Sequence, residues 1–278
     1  MRAVAIVGVG LIGGSFGLAL RASGFDGRIV GVSSNQTIRK AIDLGAIDEG
    51  LPIERAVPVV DLIYLAQPIG RVLDTIRHLD ALLPQPGALV TDAGSTKNAI
   101  VSAARASLRS CQFLGGHPMA GKETRGVESA DAQLFAGRPY ALTPGNPEEL
   151  ETPAARILVE WIKKMGARPV VIGAEEHDRL VAFSSHVPQL ASTALAAALA
   201  ESAPEASQVA GPGLVDATRL ALSSYDLWRD ILATNTDAIS EALQIYITKL
   251  EHIHENLRTR QVKEEFERGA DFARRLRD

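Results

Sequence analysis

The stretch Val4-Ala5-Ile6-Val7-Gly8-Val9-Gly10-Leu11-Ile12-Gly13-Gly14 decides the fold. Val4 to Val7 is a short apolar run rich in β-branched residues, the pattern of a buried strand, and from Gly14 to Ser23 the apolar residues recur at helical spacing. Between the two, Gly8, Gly10 and Gly13 stand in G-x-G-x-x-G, and each has a mechanical task in a dinucleotide-binding turn. The first permits a tight bend, the second lets the backbone approach a pyrophosphate, and the third packs helix against strand. The helix start at Leu11 and Ile12 then offers free N–H groups to phosphate oxygens.

Outward from this turn the rhythm continues. Arg28 to Val32, Asp61 to Ala66, Ala88 to Thr91 and Gln112 to Leu114 read as strands, separated by helical segments such as Val72 to Leu83. Tyr140 to Leu142 and Pro169 to Ile172 flank a helical stretch that begins near Pro147, and extend the same sheet. The expected first domain, residues 1–173, is therefore an α/β unit of Rossmann type, a doubly wound, mostly parallel sheet. After Gly173 no strand pattern remains. Residues 174–278 read as an all-α domain, opened by Glu175 and Glu176 at the positive end of a helix dipole and interrupted at Gly211-Pro212-Gly213. Its tail, Lys249 to Asp278, reads as a solvated helix with the pairs Glu264 with Arg268 and Asp271 with Arg275. The Ala-rich helices fit either a bundle core of their own or a core shared between two subunits, and the architecture favours the homodimer.

Composition narrows the class. The chain has 278 residues, 46% of them hydrophobic and 22% charged, the balance of a soluble globular protein. With 29 Lys and Arg against 33 Asp and Glu, the formal charge of −4 gives no overall pull toward nucleic acid or acidic membranes. The single cysteine, Cys111, has no partner for an internal disulfide. The N-terminal apolar run is broken by glycines, unlike a signal peptide, and Leu190 to Ala200 falls well short of the ~20 residues of a bilayer span. A cytoplasmic protein is expected.

The cofactor site follows from the fingerprint. Where the second strand ends, a carboxylate ordinarily holds the adenosine ribose of NAD, and this chain has Ser33, Ser34 and Asn35. Nothing there repels a 2′-phosphate, and Ser33, Ser34 and the nearby Arg39 suit one, so NADP or dual use is expected beside NAD. Arg39 also fits a solvated helix face.

In such sheets ligands bind beyond the carboxyl ends of the strands. Two unusual segments fall there: Asp92-Ala93-Gly94-Ser95-Thr96-Lys97, and Gly115-Gly116-His117-Pro118-Met119-Ala120-Gly121-Lys122-Glu123. Pro118 biases His117 away from helical geometry, which places its imidazole in an extended loop where it accepts the proton of an alcohol as hydride leaves the carbon.

These segments, with Gly8 to Ser15, resemble the prephenate and arogenate dehydrogenases of tyrosine biosynthesis. The resemblance continues through Ser185-His186-Val187-Pro188, Asp216-Ala217-Thr218-Arg219 and Leu227-Trp228-Arg229-Asp230-Ile231. It implies that His117 accepts the proton of the substrate ring hydroxyl, that Ser95 orients that histidine, and that Asp92 belongs to the cofactor-binding loop. It further implies that Arg219 binds the substrate side-chain carboxylate, that His186 and Trp228 line the pocket, and that Glu123 is a polar gate residue. Other readings stand beside these: Arg219 lies among Leu214, Val215, Leu220 and Leu222 and fits a snorkelling residue, His186 fits a cap for the break at Pro188, and Trp228 fits a packing or interface residue. One departure is Gln189, where many members carry a second histidine, so one cationic contact to a substrate carboxylate is weakened. The chain leaves no room for an appended mutase or regulatory domain, so control by tyrosine is expected at the active site.

The implied reaction needs no metal. Hydride leaves the ring carbon, His117 takes the hydroxyl proton, and loss of carbon dioxide leaves an aromatic ring. A β-hydroxyacid dehydrogenase or imine reductase is the alternative enzyme, with a Lys or Asp on the first long helix as its reactive group. A nucleotide-sensing regulator, needing neither His117 nor Arg219, is the alternative outside catalysis.

Overall fold

The computed structural model describes residues 1–82, 87–259 and 261–277. Among these residues the strands are β1 (Ala3–Val7), β2 (Arg28–Val32), β3 (Glu49–Gly50), β4 (Leu62–Leu65), β5 (Leu89–Asp92), β6 (Gln112–Pro118), β7 (Pro139–Thr143) and β8 (Arg168–Val171). They form one sheet in the order β3-β2-β1-β4-β5-β6-β7-β8, parallel throughout except where β7 runs antiparallel to β6. The helices are α1 (Leu11–Ala22), α2 (Asn35–Asp43), α3 (Ile53–Ala56), α4 (Ile69–Leu79), α5 (Asn98–Ser107) and α6 (Pro153–Lys164), then α7 (Ala174–Val181), α8 (Val187–Ser202), α9 (Pro212–Thr218), α10 (Tyr225–Thr234), α11 (Thr236–Glu255) and α12 (Val262–Arg275). A doubly wound sheet followed by a helical region is the architecture expected.

Strand alternation builds two cores, one on each side of the sheet. Val4 and Ile6 of β1, with Leu62 and Tyr64 of β4, face Phe16 and Leu20 of α1 and Leu158 and Ile162 of α6. Val7, Ile63, Leu65 and Val90 face the other way, against Val72 and Ile76 of α4 and Ile100 and Ala104 of α5. Both faces are covered, so these strands read as continuous apolar runs. The helical region buries much less of itself, with only Ala182, Val187, Ile239 and Ala242 in its own cluster among the described residues.

Several boundaries differ from expectation. The two-residue β3 was not legible, because a pair of residues carries no periodicity. The stretch from Pro147 divides into a 3-10 turn, Pro147–Glu151, and α6, because Thr152 caps the backbone N–H of Ala155 and Pro153 takes the first helical position. α4 ends at Leu79 and a 3-10 turn runs to Leu82, while Leu83 lies outside the described residues. The tail is two elements, the end of α11 and α12, tied by Lys249 to Glu265 at 2.8 Å; Asp278 lies outside the described residues. Glu264 pairs with Arg268 as expected, but Asp271 pairs with Arg274 while Arg275 lies over the Phe272 ring. Phe266, Phe272 and Leu276 are exposed, so α12 carries an apolar stripe rather than an evenly solvated surface. No helix among the described residues is long and apolar enough to cross a membrane.

Candidate active site at the rim of the sheet

β1 lies between β2 and β4, so the chain leaves the sheet in opposite directions on its two sides and a crevice opens beyond β1. The glycine turn sits there. Gly8 has φ +94°, donates its N–H to the Val32 carbonyl, and has no room for a Cβ, which would lie 2.7 Å from the Ala66 carbonyl oxygen. A Cβ on Gly13 would collide with the Gly8 carbonyl oxygen, so this glycine joins helix to strand. A Cβ on Gly10 would meet nothing. Gly10 therefore faces open space at the start of α1, and the cradle fits a dinucleotide pyrophosphate approaching the unpaired N–H groups of the first helical turn. Leu11 and Ile12 turn their side chains onto the core, so only their backbone is offered.

A cavity of about 400 Å³ opens at this turn, lined by Gly8, Gly10, Ser33, Thr37, Arg71 and Glu128 among others. Ser33 lines it as expected. Ser34 is instead the N-cap of α2, its hydroxyl accepting from the Thr37 N–H at 3.3 Å. Arg39 is exposed and absent from the lining, because it follows the lining residue Thr37 by two positions, about 200° around the helix. Arg71, Thr37 and Glu128 were not found from the sequence: they belong to three separate segments that only the fold brings to one cavity.

His117 does not stand in a loop. β6 runs to Pro118, and His117 pairs with Ala141 of the antiparallel β7, so the backbone on both sides fixes its position. Its imidazole is half-buried, with Nδ1 2.9 Å from Nε2 of His177 on α7. His177 Nδ1 lies 2.8 Å from Asp178 Oδ1, both residues being buried. The carboxylate can only accept, so His177 donates to it from Nδ1, and its Nε2 is placed to accept from His117. His117 must then donate from Nδ1, which leaves its Nε2 with a free lone pair. Burial, and secondarily the neighbouring His177, Lys97 and His186, hold the His117 pKa well below its ordinary 6.5, so the ring is a neutral base.

Ser95, expected to orient His117, makes no hydrogen bond among the described residues; His177 is the group bonded to that ring. Asp92 does not face a ligand either. It is fully buried and ion-paired with Lys97, and it accepts from the N–H groups of Gly94 at 2.8 Å and Gly116 at 3.1 Å. Lys97 Nζ also donates to the Gly116 carbonyl at 2.8 Å. The pair thus braces the ends of β5 and β6 beneath His117, with the two backbone N–H groups helping to sustain the buried carboxylate.

The helical region docks through carboxylates that cap sheet-side helices. Asp178 accepts from the N–H groups of Lys97 and Asn98 at the start of α5, at 2.7 and 2.8 Å, and Asp230 accepts from Gly70 at the start of α4, at 2.9 Å. Anions are favoured at these helix ends. Ala182–His186 forms a π turn leading into α8, where Pro188 stands in the first turn and its missing N–H needs no partner. His186 is buried there, with Nδ1 3.3 Å from the Asn235 amide nitrogen, which also donates to the Asp178 carbonyl at 2.8 Å. Burial pushes the His186 pKa down to about 4. Trp228 meets His186 of the same chain edge-on, with ring centroids 5.7 Å apart.

The amide nitrogen of Gln189 is engaged within the fold: it donates to the Leu220 carbonyl at 2.8 Å and to Thr193 Oγ1 at 3.1 Å, holding α8 against the turn at Arg219–Leu222. Arg219 is exposed and does not snorkel among its apolar neighbours. Its Nη1 lies 2.7 Å from Glu123 Oε1, which joins the loop after β6 to the helical region.

A glycine cradle at the switch point of a Rossmann-type sheet, a neutral histidine at its rim and a docked helical region define a nicotinamide dinucleotide-dependent dehydrogenase. Comparisons with known proteins agree. The profile for "Prephenate dehydrogenase, nucleotide-binding domain" matches residues 16–171 and that for "Prephenate dehydrogenase, dimerization domain" matches residues 173–271. A prephenate dehydrogenase of Bacillus subtilis is 34% identical over 256 residues, covering 90% of this chain and 68% of that protein. The crystal structure of prephenate dehydrogenase from Aquifex aeolicus in complex with hydroxyphenyl propionate and NAD+ superposes with a TM-score of 0.84 at 33% identity, covering 100% of this chain and 96% of that one. Synechocystis arogenate dehydrogenase gives 0.82 at 28% identity, covering 99% of both chains. The chain belongs to the prephenate dehydrogenase family.

Proposed function

We propose that the protein catalyses the oxidative decarboxylation of prephenate, in tyrosine biosynthesis, with arogenate as a second substrate. The observation that carries this reading is the run from His117 through His177 to Asp178. It fixes the tautomer that leaves His117 Nε2 free to take the proton of the substrate ring hydroxyl. The nicotinamide ring, when bound, supplies the acceptor for the hydride that leaves the hydroxyl-bearing carbon. The ring ketone so formed draws electrons from the carboxylate across the ring, and carbon dioxide departs as the ring becomes aromatic. The charge gained by His117 is opposed by Asp178 through His177. Arg219 binds the side-chain carboxylate by exchanging it for Glu123; an exposed ion pair of this kind is worth about 0–1 kcal/mol, so it parts readily. With Gln189 committed to α8 packing, no second cation assists from that position, and arogenate stays a second substrate on the likeness to the Synechocystis enzyme.

The cofactor is NADP or NAD, because Ser33 and not a carboxylate follows the last residue of β2. We read residues 1–173 as the dinucleotide-binding domain and 174–278 as the substrate-binding and dimerisation domain of a cytoplasmic homodimer. The small core of the helical region and the exposed Ile245, Tyr246, Leu250, Phe266 and Phe272 support a shared interface. The test is to supply prephenate or arogenate with NAD+ or NADP+ and follow absorbance of the reduced nicotinamide. Turnover of prephenate with at least one of the cofactors is expected, and none with either would refute the reading.

A further inference from the structure

The carboxylate that β2 lacks is present in the cavity by another route. Glu128, in the 3-10 turn Val127–Ser129, lines it together with Gly8, Gly10, Ser33 and Thr37. The turn is brought there by Gly126, whose φ of +84° reverses the chain, and by Val127, which is buried against Gly14 of α1. Lys40 stands three residues after Thr37, on the same face of α2, and forms an ion pair with Glu128. Both side chains are about half exposed, at 43% and 54%, so the pair separates at little cost. The remaining charged group in the lining is Arg71, which has no ion-pair partner among the described residues.

We propose that Lys40 and Glu128 together determine the choice between NAD and NADP. Glu128 accepts hydrogen bonds from ribose hydroxyls and opposes a 2′-phosphate, whereas Lys40 meets the 2′-phosphate when the two separate. Each charge tempers the other, which gives a site that takes both cofactors without a decisive residue at the end of β2. Arg71 attracts the phosphates of either cofactor and is common to both. The proposal rests on the reading of this cavity as the adenosine end of a dinucleotide site.

The experiment measures binding of 2′,5′-ADP and 5′-AMP by calorimetry to the full-length wild type, Glu128→Gln and Lys40→Met, together with kcat/KM for NADP+ and NAD+. Glu128→Gln is expected to raise the preference for 2′,5′-ADP over 5′-AMP about tenfold, and Lys40→Met to lower it about tenfold. The ratios of kcat/KM are expected to move in the same directions. If both variants leave the binding preference within about twofold of wild type, the pair does not select the cofactor, although the dehydrogenase reading survives. If the wild type binds neither nucleotide, the reading of the cavity fails, and with it the proposal.

Discussion

His117 Nδ1 and His177 Nε2 lie 2.9 Å apart across 60 residues of chain, one at the end of a strand and the other on the first helix of the helical region. The contact makes the base a property of the docked molecule rather than of the Rossmann-type sheet.

Replacing His117 by Asn is expected to lower kcat by about 10² to 10⁴, the contribution of a positioned base. His177→Phe keeps the ring volume but removes the acceptor, and is expected to lower kcat about 10- to 100-fold with a nearly unchanged substrate KM. Steady-state kinetics on the two variants checks both. A His177→Phe enzyme that matches wild type would show that the tautomer is held by something else.

The pH dependence of kcat/KM follows from the depressed pKa of His117. Only the neutral ring accepts a proton, so activity falls as pH drops through the folded-state pKa. The acid limb is expected below 6.5. A limb above 6.5 in the wild type would contradict the burial argument.

Buried His186 makes stability depend on acid. Its pKa is about 4 when folded and near 6.5 when unfolded, so between these values the unfolded chain binds the extra proton and stability declines as pH falls. The contribution is fully present above 6.5 and amounts to about 3 kcal/mol at most. His186→Asn is expected to flatten this part of a curve of unfolding free energy against pH, measured by urea denaturation.

The glycines of the turn separate folding from cofactor binding. Gly10→Ala adds a methyl group to open space and is expected to keep a melting temperature within about 2 °C of wild type while weakening dinucleotide binding more than about tenfold. Gly13→Ala drives a methyl group into the Gly8 carbonyl and is expected to cost the fold itself. Thermal melts and nucleotide titrations distinguish the two outcomes.

Arg219→Ala is expected to raise the substrate KM about 10- to 100-fold with a smaller effect on kcat, the range for losing a hydrogen bond to a charged group. Because Glu123 is its present partner, Glu123→Gln is expected to lower that KM or leave it unchanged. A raised KM in Glu123→Gln would mean that the carboxylate serves to hold Arg219 in place.

Elements with a strong local signature were legible from the chain alone. The Val4–Gly14 stretch and the strand at Arg28–Val32 follow from periodicity and from the spacing of the glycines, although the group that crowds Gly8 is Ala66 of a separate segment. Pro118 correctly indicated extended backbone at His117, but the antiparallel pairing that makes it part of β6 depends on a partner strand more than twenty residues away in sequence. Ser95 and Asp92 were assigned to the site because they lie in a distinctive segment. The structure instead shows no hydrogen bond from Ser95 among the described residues and turns Asp92 inward to Lys97, since burial of a charge is decided by what packs over it.

The sequence by itself determined the class of fold and the glycine turn, and it singled out His117 as the candidate base, because strand periodicity, a glycine fingerprint and a His-Pro pair are patterns of a few residues. Only the tertiary structure decided which nitrogen of His117 faces His177, which side chains surround the cavity at the glycine turn, and how the helical region caps α4 and α5. Those outcomes depend on groups from distant segments meeting within hydrogen-bonding distance, and such meetings are set by the packing of layers rather than by any local pattern.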